Sequence, residues 1–248
     1  MPRYFLEVSY YGERYSGFQV QENAKTIQSE IERAFQVFYK KQVELTGSSR
    51  TDAGVHALQN FFHFDWNEEF NQKQVYNLNA ILPDDIVLKS VLAVQPNAHS
   101  RFDAISREYE YHVYFEKNPF LQDRAWFFPF QINRELLLEV AAIIKAQTDF
   151  ISFSRQNTQV KNFNCTILES RWEEAQGRLI YHVKGNRFLR GMVRALVSTM
   201  LQVARGNKSM KDFERYFSQP SQTSADFSAP AKGLFLCKVN YPEGQFAH

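Results

Sequence analysis

The chain has 248 residues, with 29 lysines and arginines against 27 aspartates and glutamates, a formal net charge of +2. Hydrophobic residues at 44% and charged residues at 23% exclude disordered and collagen-like classes, and the length suits one large domain or two small ones. Taken as a sum, the near-zero charge argues against a nucleic-acid partner, although a sum says nothing about where charges sit.

Arg3 to Tyr10 reads as a strand, leading into a glycine-punctuated polar loop from Tyr11 to Ala24. Thr26 is placed to cap a helix with Ile27, Ile31, Phe35 and Phe38 on one face. Val43 to Thr46 and Gln59 to Phe64 carry short strand signals on either side of the loop Gly47 to Leu58. Asn71 to Ile81 reads as a helix stopped by Pro83, and Ile86 to Val94 as an apolar strand. Glu108 to Phe115 alternates, with Tyr109, Tyr111, Val113 and Phe115 sharing a face. Asn133 is placed to cap a helix carrying Leu136, Leu137, Val140, Ile143 and Ile144. Thr166 to Glu173 and Leu179 to Lys184 suggest a hairpin about Gln176-Gly177. Phe188 to Ala204 has helical periodicity with Gly206 past its end, and Leu234 to Tyr241 supplies a last strand before a frayed tail. Strands and helices alternate irregularly in two halves, 1–104 and 105–248. That pattern predicts an α+β protein with one mixed or antiparallel sheet, continuous because no Pro- or Gly-rich linker divides the halves.

Aromatic content is high, with 23 Phe, 12 Tyr and 3 Trp, and most of these residues are expected in a sheet-rich core. Cys165 and Cys237 sit in apolar alternating runs and read as buried thiols. The six histidines have no metal-ligand spacing, and the phosphate-loop, dinucleotide, zinc-protease and nucleophile-elbow motifs are missing, so no cofactor and no metal are expected. No N-terminal stretch suits a signal peptide and no run of about 18 apolar residues occurs, so a soluble, cytoplasmic protein is expected.

The charge is unevenly distributed. Between Ala175 and Lys211 there is no acidic residue but there are eight basic ones, which leaves 21 basic against 27 acidic residues in the rest of the chain. If this segment is helical throughout, Arg187, Arg190, Arg194 and Arg205 fall within about 60° of one another, away from Leu189, Met192, Val193, Leu196 and Met200. An arginine stripe without acidic neighbours favours a polyanion over a merely solvated face.

The loop Gly47-Ser48-Ser49-Arg50-Thr51-Asp52-Ala53-Gly54-Val55-His56-Ala57 combines small residues, which let a ligand approach the backbone, with the charges of Arg50 and Asp52. On its own it is consistent with an ordinary turn stabilised by Asp52. It also resembles the signature of the tRNA pseudouridine synthase A family. The resemblance extends through Tyr10-Tyr11-Gly12 to Gln21, Asn79 to Pro83 with Asp85-Ile86, Arg101-Phe102-Asp103-Ala104, and Arg107-Glu108-Tyr109-Glu110-Tyr111. Asp149-Phe150 with Ser152-Phe153, Asn186 through Arg194, and Gly233 to Leu236 follow in order, so the resemblance covers essentially the whole chain.

The resemblance implies isomerisation of uridine to pseudouridine at positions 38, 39 and 40 of the tRNA anticodon arm, without a cofactor. It assigns Asp52 as the catalytic aspartate and Tyr109 as the residue packing on the target base. Arg194 is the arginine pairing with the carboxylate, and Arg50 a loop arginine that holds the flipped nucleotide. Arg187, Arg190 and Arg205 are then candidates for RNA-backbone contacts. The family fold implied is two ferredoxin-like halves in one sheet, with helices on one side and an active-site cleft between the halves. A homodimer binding tRNA is also implied, with no other protein partner and no membrane. Three residues depart from the family pattern: Tyr11 for a common Asp, Phe18 for a Trp and Ser49 for a Gly.

The residue types suit the reaction. The N1–C1′ bond breaks and a C5–C1′ bond forms, with no net gain of atoms or electrons. An aspartate side chain, with an ordinary pKa near 3.9, supplies a charged nucleophile without a neighbouring base. A neighbouring arginine orients it, and an aromatic face offsets part of the cost of flipping a base. A non-catalytic RNA-binding protein on the same scaffold is the alternative, and it gives a loop carboxylate no task. A phosphoryl-transfer or hydrolytic enzyme lacks a second carboxylate close to Asp52 in sequence.

Overall fold

The computed structural model describes residues 1–155, 160–220 and 224–246. In chain order the elements are β1 (Arg3–Tyr10), α1 (Ile27–Tyr39), β2 (Thr46–Gly47), β3 (His56–Asp65), α2 (Gln72–Asn79) and β4 (Ile86–Val94). They continue with β5 (Ser106–Tyr114), β6 (Trp126–Phe127), α3 (Arg134–Lys145), β7 (Ile167–Ala175), β8 (Arg178–Gly185), α4 (Met192–Ala204), α5 (Met210–Ser218) and β9 (Leu234–Asn240). The α+β class holds, and both parallel and antiparallel pairings occur. No helix among the described residues is long and apolar enough to cross a membrane.

The chain divides into two compact units, Met1–Ser106 with Phe235–His248, and Arg107–Leu234. This differs from a simple division at residue 104, because β9 returns to pair in parallel with β3, His56 opposite Phe235 and Ala57 opposite Leu236.

In the first unit the strand order is β4-β1-β3-β9, with β2 paired to β3. The Thr26 hydroxyl accepts from the Ser29 amide at 3.1 Å and the Ser29 hydroxyl accepts from the Thr26 amide at 3.0 Å, which fixes where α1 starts. Ile27, Ile31 and Phe35 are buried as expected, but the packed stripe ends before the last turn and leaves Phe38 44% exposed. Phe35, Phe64, Trp66 and Phe70 interlock as a ring cluster, so this part of the aromatic content is core. As far as Phe246 the C-terminal tail is tied down rather than frayed, and residues 247–248 of the expected frayed end lie outside the described residues. Phe246 packs edge-on to Phe5 and Tyr241, and the Tyr241 hydroxyl donates to Ser100 O at 2.6 Å.

In the second unit β7 and β8 form the expected hairpin and β8 pairs with β5, while β6 adds in parallel to β5. Asn133 caps α3 through its side chain, which accepts from the Leu136 amide at 3.0 Å. Eleven of the 13 residues of α4 are buried, which makes it a core helix and not a surface one. The helix also begins later than its periodicity suggests. Gly191 has φ +74°, a left-handed conformation that no continuing right-handed helix contains, so Phe188 to Arg190 lie before it. Cys165 is core and its burial pushes the thiol up to about 11, whereas Cys237 on β9 is only half-buried.

Candidate active site

In the first unit Asp52 is half-buried on the loop between β2 and β3. Both sequence neighbours of Arg50 are clamped. Ser49 O accepts from Asn60 Nδ2 at 2.8 Å, and the Thr51 hydroxyl pairs with the Tyr10 hydroxyl at 2.7 Å. Asn60 Nδ2 also reaches the Tyr10 hydroxyl at 3.2 Å, and Asn60 is 0% exposed, so one buried amide ties the loop to β1 and β3. Thr51 O accepts from the Phe18 amide at 3.1 Å. Beyond Asp52, the Val55 amide closes a tight turn onto Asp52 O at 3.2 Å, with Gly54 at φ +77° in the left-handed region that favours glycine.

Two glycines bring other segments against this loop. A Cβ on Gly12 would lie 1.9 Å from Val55 O, and one on Gly47 would lie 2.1 Å from the Phe18 ring. The Phe18 ring stacks on Phe62 at 4.5 Å, so the residue that departs from the family tryptophan is a buried wall of the loop. Tyr11 stacks on the buried His56 ring at 4.2 Å, and His56 Nδ1 accepts from the Gly12 amide at 3.0 Å. With Nδ1 as the acceptor, a neutral His56 carries its proton on Nε2. Tyr10, Gly12, His56 and Asn60 are the supporting residues that sequence reasoning missed. Asn60 is followed by four more buried residues of β3, and a buried amide needs partners; its place beside an apolar run was the available signal.

In the second unit Tyr109 lies opposite Val183 in the β5–β8 register, half-buried, and its ring meets Phe188 edge-on at 5.1 Å. Next to it, Lys184 Nζ pairs with Glu108 Oε1 at 2.8 Å. Arg194 is half-buried in the first turn of α4, and its Nε donates to Ala229 O at 2.6 Å. The Tyr111 hydroxyl donates to Pro230 O at 2.7 Å, so Arg194 and Tyr111 together hold the backbone at 229–230. Burial raises the Tyr111 phenol well above its ordinary value, against the opposing charge of Arg194.

The arginines do not form the predicted single stripe. Arg187 and Arg190 belong to the irregular segment before Gly191, and the Arg190 carbonyl accepts from the Arg155 amide at 3.1 Å. Arg205 caps the far end of α4, roughly 16 Å along the axis from Arg194, with its guanidinium 3.4 Å from the Phe130 ring centroid. These four arginines are therefore presented from three places in the second unit.

The sequence profile described as tRNA pseudouridine synthase matches residues 7–103 and 147–242. A protein named tRNA pseudouridine synthase A from Azobacteroides pseudotrichonymphae is 37% identical over 247 residues, covering 99% of each chain. Its namesake from Parabacteroides distasonis is 38% identical, covering 99% of this chain and 98% of its own. Another from Porphyromonas gingivalis is 39% identical, covering 99% of this chain and all of its own. Agreement of this extent over both units shows that the chain belongs to the tRNA pseudouridine synthase family.

Proposed function

We propose that this isomerase converts uridine to pseudouridine at positions 38, 39 and 40 of the tRNA anticodon arm, with Asp52 as the nucleophile. In this reading Asp52, Tyr109 and Arg194 are the residues that serve the reaction. The observation that carries it is the construction of the Asp52 loop. A half-buried carboxylate follows two residues whose backbone or hydroxyl is fixed by buried polar partners. Such pre-positioning is what covalent catalysis requires.

The assignments follow from the chemistry. The Asp52 carboxylate attacks the target nucleoside as the N1–C1′ bond breaks. The base then turns, C5 bonds to C1′ as the bond to the Asp52 carboxylate breaks, and the proton lost from C5 is matched by one gained at N1. Tyr109 supplies an aromatic face for the flipped base, worth about 1–3 kcal/mol against an unstacking cost of a few kcal/mol. In the same reading Arg194 serves as the orienting cation of the reaction, and Arg50 holds the displaced nucleotide. Arg187, Arg190 and Arg205 contact RNA phosphates without reading sequence. The same reading makes the two units the paired ferredoxin-like halves of the family fold and the working protein a cytoplasmic homodimer.

The test is incubation with an unmodified tRNA transcript followed by mapping of pseudouridine. Wild type is expected to modify the anticodon arm, and Asp52→Asn to bind the transcript with wild-type affinity while forming no product. Normal turnover by Asp52→Asn overturns the nucleophile assignment, and modification elsewhere in the tRNA overturns the site assignment.

A further inference from the structure

The turn from His99 to Asp103 carries an aromatic side chain that the reading above does not use. Phe102 is 74% exposed, and a single exposed phenylalanine is ordinary on a protein surface. What lies beneath this one is not. Its ring rests on His99 at 4.2 Å, and His99 rests on the buried His63 at 4.5 Å. His99 Nδ1 accepts the backbone amides of Arg101 and Phe102 at 3.1 and 3.3 Å, while the His99 amide donates to Asp103 Oδ2 at 2.7 Å. From the tail, Gln245 Nε2 also donates to Asp103 Oδ2, at 3.0 Å. The turn is therefore fastened from several sides, and the ring is held with an exposed face outward. The Arg101 guanidinium lies 5.7 Å from the same ring.

The turn is also fixed to the candidate active site. The Ser100 hydroxyl donates to Thr46 O at 2.9 Å, on the strand that leads into the Gly47–Arg50 loop. Four residues separate Thr46 from Arg50, a span of at most about 14 Å.

We propose that Phe102, backed by His99 and flanked by Arg101, is a stacking platform for an unpaired base of the bound RNA beside the target uridine. Resting on the function proposed above, it adds a binding position in the first unit. A flat apolar face beside a guanidinium fits a nucleobase joined to a phosphate, and it accepts any base because each has a π-face. An apolar protein partner has no need of the adjacent cation.

The test is made in the Asp52→Asn background, so that binding of the unmodified tRNA transcript is read without turnover. Adding Phe102→Ala is expected to weaken affinity roughly 5- to 100-fold, and adding Phe102→Trp to leave it near the parental value. Sedimentation of each variant without RNA is expected to show no change of oligomeric state. Unchanged affinity for Phe102→Ala overturns the platform. Altered oligomeric state also overturns it, by assigning the ring to a contact between copies. Failure of the wild-type enzyme to form pseudouridine on the same transcript tells instead against the function proposed above, because that readout is independent of the Phe102 comparison.

Discussion

The loop that carries Asp52 and the segment that carries Arg187 and Arg190 are both irregular, but they are held differently. Around Asp52 the loop is held on both flanks: by the buried Asn60 and Tyr10 side chains before it, and by the Gly12 backbone pressed against the Val55 carbonyl after it. Around Arg187 and Arg190 the anchors include hydrogen bonds to backbone carbonyls. The Asn186 carbonyl accepts from Arg107 Nη1 at 3.1 Å, the Arg190 carbonyl accepts from Arg155, and Arg190 itself is exposed. A nucleophile has to meet one atom in one direction, and a displacement of about 1 Å costs roughly 100-fold in rate. A phosphate contact tolerates the freedom of a long side chain because the interaction is long-ranged and non-directional by comparison.

The comparison breaks most sharply at Gly12. Its added methyl would lie 1.9 Å from a backbone carbonyl, which has no flexible end to move aside. Gly12→Ala is expected to lower stability by about 1–3 kcal/mol, or roughly 2–4 °C in Tm per kcal/mol, by forcing Val55 and its turn away. The decisive readout is kinetic. Single-turnover pseudouridine formation is expected to fall at least tenfold while tRNA affinity changes little. A variant that loses stability but keeps the full single-turnover rate shows that the loop does not have to be held this closely.

The converse holds for the second region. Arg187→Ala with Arg190→Ala is expected to weaken tRNA binding and to reduce the slope of log affinity against log salt by about 1.5, with the rate at saturating tRNA nearly unchanged. An unchanged slope removes these arginines from the RNA interface.

Much of the fold was legible because its signals are local. Thr26 and Asn133 each cap the helix that the sequence places after them, and Gln176-Gly177 turns the β7–β8 hairpin. The start of α4 was not legible in this way. Apolar periodicity runs smoothly from Phe188 through Leu189 into Met192, and only the backbone shows that Gly191 breaks it. The arginine stripe failed for the same reason, since a helical wheel assumes an unbroken helix. Asp52 stood out through a motif, whereas Tyr10 supports its loop across 41 residues and is itself bonded to Asn60 across 50, separations no local pattern encodes. The return of β9 to β3 is likewise a long-range pairing, invisible to a boundary drawn by counting elements.

The smallest expected effect concerns His63, a second buried polar anchor of the first unit. Its Nδ1 accepts from the Ser100 amide at 3.2 Å, and burial, helped by the charges of His99 and Arg3, pulls its pKa from 6.5 down to about 4. Asp65 and Asp103 oppose the shift without cancelling it. The folded state therefore resists a proton that the unfolded chain accepts. The stability contributed by the neutral ring is complete above about pH 6.5 and declines as the pH falls toward 4, where the folded-state ring itself becomes protonated. His99 shifts in the same direction, chiefly through burial, so the two rings act together in this window. Measured as Tm between pH 7 and pH 4, His63→Gln is expected to be less stable than wild type at pH 7 and to lose less on acidification. Parallel curves for the two proteins would mean that protonation of His63 is not coupled to folding. The hold on the turn at 99–103 would then come from the Ser100–Thr46 and tail contacts alone.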